Sequence, residues 1–115
     1  MSKMKNSVLL MGNLGGDPIF SELSNGGKLT RLSLATNEFY RNKEGEMVKK
    51  TEWHRCIAWG KLAERMNDKL RKGSSVAVRG KLTYRSYEDK DGNQRTLPQV
   101  EVQEYSILNK EKPQA

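Results

Sequence analysis

The chain has 115 residues, a net charge of +7 and an apolar fraction of 35%, which together describe one small basic domain. This length is too short for a (β/α)₈ barrel or a doubly wound sheet. No apolar run near the N-terminus is long enough for a secretory signal, and none approaches a membrane span. The single cysteine, Cys56, excludes an intrachain disulfide, so we expect a cytoplasmic protein.

Five strands and one helix are predicted in chain order. Apolar and alternating runs predict strands over 7–14, 28–38, 51–59, 75–88 and 94–108, and a polar loop over 41–50. Leu62, Met66 and Leu70 recur every four residues, which predicts an amphipathic helix over 61–72 that Gly73 ends. We expect residues 1–108 to form the domain and residues 109–115 a short polar tail.

Three strands, a helix and two strands form the element order of an all-β fold, the five-stranded Greek-key barrel called the OB-fold. Its one short helix lies between strands 3 and 4. An immunoglobulin sandwich needs about seven strands and no helix, so it fits less well. A five-stranded sheet with a helix across it remains an alternative.

The third strand carries the most informative pattern. Trp53, Arg55 and Trp59 share one face because side chains two apart on a strand point the same way. If both tryptophans were buried, Arg55 between them would be buried too, and an unpaired buried charge is costly. We therefore predict that this face is exposed, while His54 and Cys56 point away from it.

The fourth strand adds cations to the same surface. Residues 69–85 contain six Lys or Arg and no acid. Val76 and Val78 predict the core side, on which Tyr84 also falls. The opposite side then carries Arg79, Lys81, Arg85 and Tyr87. Such a surface suits single-stranded nucleic acid, because cations bind phosphates and rings stack on unpaired bases.

The second strand ends in Phe39 and Tyr40, beside a basic hairpin that includes Lys49. One of the two rings could stack on a base while the other packs inward. Acidic residues in the hairpin make this signal weaker than that of the third and fourth strands.

No catalytic or metal-binding residues are predicted, and no cofactor is expected. His54 and Cys56 lie two residues apart, and no third metal ligand is recognisable. The sequence lacks a Gly-x-x-x-x-Gly-Lys-Ser/Thr loop for nucleotide hydrolysis. We interpret Cys56 as a small buried apolar residue rather than a nucleophile.

Several ordered motifs over residues 6–108 resemble the bacterial single-stranded DNA-binding protein (SSB) family. They are Gly-Asn-Leu-Gly-Gly-Asp-Pro at 12–18, Leu-Ala-Thr at 34–36, Thr-Glu-Trp-His-Arg at 51–55, Trp-Gly-Lys-Leu-Ala-Glu at 59–64, Arg-Lys-Gly-Ser at 71–74 and Gly-Lys-Leu at 80–82. The resemblance implies an OB-fold that binds ssDNA without sequence preference in DNA replication, recombination and repair. It also implies a homo-oligomer, usually a homotetramer, that is cytoplasmic and associated with the nucleoid.

The resemblance also implies site residues. Its stacking positions match Tyr40, Trp53, Trp59 and Tyr87, three of which lie on the face predicted above. The cations expected to contact phosphates are Lys49, Arg55, Arg79, Lys81 and Arg85. The family builds its dimer through the first strand, which here contains Val8 and Leu10, and His54 matches a subunit-contact position.

The C-terminal segment differs from the family pattern. Family members usually end in an acidic tip that recruits replication and repair proteins. This chain instead ends in the polar segment 109–115. Partners that depend on the tip are therefore uncertain.

Two other functions are alternatives to ssDNA coating. They are a dimeric OB-fold factor of the replication-restart kind and an RNA-binding protein of the cold-shock kind.

Overall fold

The computed structural model describes residues 5–108, so the predicted tail over 109–115 lies outside the described residues. Seven elements occur in the described part. They are β1 (Val8–Leu14), β2 (Ile19–Glu22), β3 (Lys28–Arg41), β4 (Met47–Trp59), α1 (Gly60–Lys69), β5 (Ser75–Glu88) and β6 (Gln94–Ile107).

The five long strands close into a barrel. β1 pairs antiparallel with β5, β5 with β6, and β3 with β4, while β4 lies parallel to β6. A further antiparallel pairing between β1 and β3 completes the ring. The chain is therefore an OB-fold with its helix between the third and fourth long strands, as predicted, and the alternative of an open sheet is excluded.

The ring closes at a close approach between β1 and β3. Asn13 and Leu14 pair with Ala35 and Leu34 there. A Cβ atom at the preceding Gly12 would overlap the carbonyl oxygen of Ala35. Only glycine lets the two backbones come this close.

The barrel interior is filled by apolar side chains from all five long strands and the helix. The buried cluster contains Leu14, Leu32, Leu34, Cys56, Ala58, Ala63, Met66, Leu70, Val76, Val78, Val100 and Val102. One polar side chain, Thr30, is fully buried, and its hydroxyl donates a 2.7 Å hydrogen bond to the carbonyl oxygen of Ala63. This bond attaches α1 to β3, and an exposed ion pair between Lys28 and Glu64 lies beside it.

The helix is shorter than predicted. It ends at Lys69, because Leu70 adopts an extended conformation with φ −107° and ψ 150°. This conformation places the Leu70 side chain in the core, where it is fully buried. Gly73 lies in the turn that follows and does not end the helix.

The β3–β4 hairpin is longer than predicted. The strands continue to Arg41 and resume at Met47, so the loop expected over 41–50 shrinks to residues 42–46. The Asn42 side-chain oxygen closes this turn by accepting the backbone N–H groups of Glu44 and Glu46 at 2.9 Å each. The short strand β2, which pairs with the start of β3, was not predicted, because four residues are too few for a pattern.

The β5–β6 hairpin has a bulge. Arg79 pairs with Glu104 while the next residue, Gly80, pairs with Val102, so β6 holds one extra residue, Gln103. The bulge reverses which residues of β6 point outward. Beyond it the hairpin extends past the barrel, so Tyr84 is 64% exposed although it falls on the core side of the pattern. The prediction that Tyr84 points into the core is wrong for this reason.

Within residues 5–108, no helix combines the length and apolar character needed to cross a membrane.

Replacing Thr30 by valine tests the attachment of α1. Thr30→Val keeps the side-chain shape but removes the donor to Ala63, so we expect the free energy of unfolding to fall by roughly 1–3 kcal/mol. The measurement is urea denaturation with an unchanged m-value. Thr96→Val, at an exposed position on β6, is the matched control and should change stability by less than about 0.5 kcal/mol. Equal midpoints for the two variants would contradict this role of Thr30.

Candidate nucleic-acid interface

Two tryptophans lie on the outward side of β4. Trp53 and Trp59 are 61% and 46% exposed, and Arg55 between them is exposed as well. Cys56 and Ala58 alternate with them, point into the barrel and are fully buried. The predicted orientation of this strand is therefore confirmed.

The outward side of β4 continues across the neighbouring strands. Ile57 pairs with Arg31 of β3 and with Glu101 of β6, and Glu101 in turn pairs with Lys81 of β5. Residues paired in register point to the same side of a sheet. We call this continuous surface the tryptophan face. It contains Arg31 and Ser33 of β3, Trp53, Arg55, the buried Ile57 and Trp59 of β4, Lys81, Arg85 and Tyr87 of β5, and Glu101 of β6.

An open cleft of about 710 Å³ crosses the tryptophan face. Trp53, Arg55 and Arg31 line one part of it, and Leu97 and Pro98 of the β5–β6 hairpin line another. The cleft therefore combines an exposed ring, two cations and apolar side chains, and the acid that lines it, Asp17, accepts a hydrogen bond from the backbone N–H of Lys72. This combination suits a ligand that is both flat and anionic.

The Trp53 ring packs against Gly15, in the loop between β1 and β2. A Cβ atom at Gly15 would lie 2.5 Å from Cζ3 and 2.8 Å from Cη2 of Trp53. The absence of a side chain at this position thus creates the space in which the ring lies. At the adjacent Gly16 a Cβ atom would meet nothing within 4 Å.

The loop after β1 is bonded to the loop after the helix. The backbone N–H of Leu14 donates a hydrogen bond to the carbonyl oxygen of Ser74 at 3.0 Å. The backbone N–H of Gly73 donates one to the carbonyl oxygen of Leu14 at 2.9 Å. The Asp17 carboxylate accepts the backbone N–H of Lys72 at 2.8 Å. Two motifs far apart in the sequence, at 12–18 and 71–74, therefore form one structural unit that supports Trp53.

The predicted phosphate contacts occupy two environments. Lys49, Arg55, Lys81 and Arg85 are exposed. Arg79 instead donates a 2.7 Å hydrogen bond to the Glu104 carboxylate, which raises the pKa of Arg79. Arg79 also lies on the other side of the bulge from Lys81 and Arg85, next to Leu9 of β1.

The rings of Phe39 and Tyr40 are both exposed. The expectation that one of them packs inward is wrong, because the β3–β4 hairpin extends beyond the barrel and has no core beneath it. Tyr87 is also exposed, on the same side of β5 as Lys81 and Arg85. The role of each ring in stacking remains a prediction.

The first strand points its side chains differently from the interface prediction. Val8 and Leu10 pack against the buried cluster, whereas Leu9 and Met11 are exposed. The residues available to a second copy on the outward side of β1 are therefore Leu9 and Met11. His54 is half-buried, and its Nε2 shares a 2.9 Å hydrogen bond with the Thr36 hydroxyl.

The chemistry of Cys56 is that of a core residue. Burial raises the pKa of its thiol to about 12, so the sulfur stays protonated at neutral pH and is a poor nucleophile. Among residues 5–108, no group of three or more His, Cys, Asp or Glu side chains is arranged to hold a metal ion.

Sequence reasoning missed part of the cleft. Alternation along β3 places Arg31 on the side opposite Leu32 and Leu34. Only the register with Ile57 shows that Arg31 lies at the centre of the tryptophan face. Leu97 and Pro98 carry no local signal, because their place in the cleft depends on how the β5–β6 hairpin lies over the barrel. Gly15 belonged to a motif, yet its contact with Trp53 requires the folded loop.

The contact between Gly15 and Trp53 can be tested by fluorescence in a Trp59→Phe background. Gly15→Ala should displace the Trp53 ring, which then becomes more accessible to acrylamide and emits at longer wavelength. Gly16→Ala is the matched control and should leave the emission unchanged, because its added methyl group meets no neighbour. If the two variants give the same emission and quenching, Gly15 does not fix the ring.

The chain is similar to a known protein family and to a solved structure. The model of the single-strand binding protein family matches residues 5–108. A solved structure described as the Plasmodium falciparum SSB complex with ssDNA is 29% identical and superposes with a TM-score of 0.82, covering 90% of this chain and 95% of that one. The family match covers nearly the whole chain and agrees with the barrel, the helix position and the exposed tryptophans. The chain therefore belongs to the single-strand binding protein family.

Proposed function

We propose that this chain binds single-stranded DNA without sequence preference and coats it in the cytoplasm during replication, recombination and repair. The observation that carries the proposal is the exposed pair Trp53 and Trp59 with Arg55 between them on the cleft side of the barrel. Family membership and the solved relative described with ssDNA support the same ligand.

Stacking explains the choice of a single strand. Unpaired bases expose flat faces to the rings of Trp53, Trp59 and Tyr87, whereas a duplex hides those faces. Each stacked base contributes roughly 1–3 kcal/mol, and because every base has such a face, stacking requires no particular sequence. Tyr40 is assigned to stacking by the family resemblance, and its ring is half exposed on the β3–β4 hairpin.

Phosphate contacts complete the binding mode. Arg55, Lys81 and Arg85 are exposed cations on the tryptophan face, and Lys49 lies on the hairpin that extends from it. Arg31 in the cleft joins this set. Cations that neutralise phosphates release counterions from the strand, so affinity should fall as salt rises.

Self-association is part of the proposal. The family resemblance implies a homotetramer, and exposed apolar side chains on the outward side of β1 support an interface there. Leu9 and Met11 are both more than half exposed, and Ala77 lies beside Met11 on β5. We assign this surface to contacts between copies. The family resemblance adds His54, which matches a subunit-contact position.

Trp53→Ala tests the binding face. We expect the affinity for oligo(dT) to fall by roughly 5-fold or more, because a stack is worth about 1–3 kcal/mol, while the urea midpoint changes little. Tyr84→Ala removes an equally exposed ring on the reverse side of the β5–β6 hairpin and is the matched control. Binding is measured by fluorescence anisotropy of a labelled oligo(dT), with a duplex of equal length in parallel.

The proposal fails if Trp53→Ala and Tyr84→Ala bind oligo(dT) equally well. It also fails if the wild-type chain prefers the duplex.

The salt dependence separates two cations. Each neutralised phosphate contributes about −0.7 to the slope of log affinity against log salt for a single strand. Lys81→Ala should flatten the slope by up to about that amount, whereas Arg79→Ala should flatten it less, because Glu104 already neutralises Arg79. Titrations of oligo(dT) at four salt concentrations measure both slopes. If Lys81→Ala leaves the slope unchanged, Lys81 does not contact a phosphate. If Arg79→Ala flattens the slope more than Lys81→Ala does, the ion pair with Glu104 does not keep Arg79 from the phosphates.

A further inference from the structure

The β3–β4 hairpin has two sides with different side chains. Phe39 pairs with Lys49, and Tyr40 pairs with Val48. Because side chains alternate along a strand and paired residues share a side, Phe39 and Lys49 lie on the same side as Trp53. Tyr40 and Val48 lie on the reverse side.

Charge is sorted between the two sides in the same way. On the Trp53 side, the strand residues from position 36 to position 52 include the cations Arg41 and Lys49 and no acid. On the reverse side, the strand residues of the same segment include Glu38 and Glu52, and the one cation there, Lys50, lies 3.3 Å from the Glu52 carboxylate. An anionic strand is therefore attracted more strongly to the Trp53 side.

The Phe39 ring is open to a ligand. It is 63% exposed, as exposed as Trp53. Phe39 lies four positions after Ala35, the register partner of Trp53, along β3, which corresponds to about 13 Å in an extended strand. A base stacked on Phe39 would therefore continue the path of the strand that leaves Trp53.

We infer that Phe39 is an additional base-stacking residue, and that Lys49 beside it contacts the adjacent phosphate. This inference rests on the proposed ssDNA binding and extends the tryptophan face onto the hairpin. It adds Phe39 to the stacking residues of the proposed function, among which Tyr40 lies on the reverse side of the hairpin.

Tryptophan placed at each position reports the contact directly. In a background in which Trp53→Phe and Trp59→Phe remove the native fluorophores but keep aromatic rings, F39W and Y40W are prepared separately. Saturating oligo(dT) should quench F39W, and Y40W reports for comparison on the stacking position that the family resemblance implies. If saturating oligo(dT) leaves the emission of F39W unchanged, the inference is overturned.

Affinity gives the second measurement, in the otherwise native chain. Phe39→Ala should weaken oligo(dT) binding roughly 5-fold or more. Val48→Ala, on the reverse side of the hairpin, controls for loss of hairpin packing and should bind as the wild type does. If Phe39→Ala binds as tightly as Val48→Ala while Trp53→Ala is weakened, only this inference is overturned. If the wild-type chain itself does not bind oligo(dT), the proposed function fails and the inference with it.

Discussion

The close approach of β1 to β3 at Gly12 positions everything around the cleft. The pairing continues as a 2.9 Å hydrogen bond from the N–H of Gly15 to the carbonyl oxygen of Ser33, which holds Gly15 against the Trp53 ring. A side chain at Gly12 would separate the two strands, and this loop would lose that support. The binding face therefore depends on a backbone contact in the barrel wall, which Gly12 makes with Ala35, the register partner of Trp53.

A single physical rule, the alternation of side chains along a strand, separates the functions of this small barrel. On β4 it directs Cys56 and Ala58 into the core and Trp53 and Trp59 to the solvent. On the projecting β3–β4 hairpin the same alternation, with no core below, separates a cationic side from an acidic one. The outward side of β1 exposes Leu9 and Met11, and it is the surface proposed for contacts between copies.

The sequence predicts most of this where a core lies below the strand. Trp53 and Arg55 could be placed because a buried arginine between two tryptophans is costly, and Cys56 supported the same parity. Tyr84 could not be placed, since its strand continues past the barrel and both sides meet water. The residue Gln103 reverses the parity of β6, and a bulge has no fixed signature in one sequence. Cleft residues such as Leu97 depend on tertiary closure, which local patterns do not encode.

The position of β6 in the ring has a consequence for folding. β6 spans Gln94–Ile107 and is the strand that joins β5 to β4. It also supplies Leu97 and Pro98 to the cleft. Until β6 docks, β5 and β4 each keep one unpaired edge, and such edges can pair with other chains. Closure of the barrel and completion of the cleft are therefore the same event, so a partly folded copy lacks part of the surface that the native barrel offers to DNA.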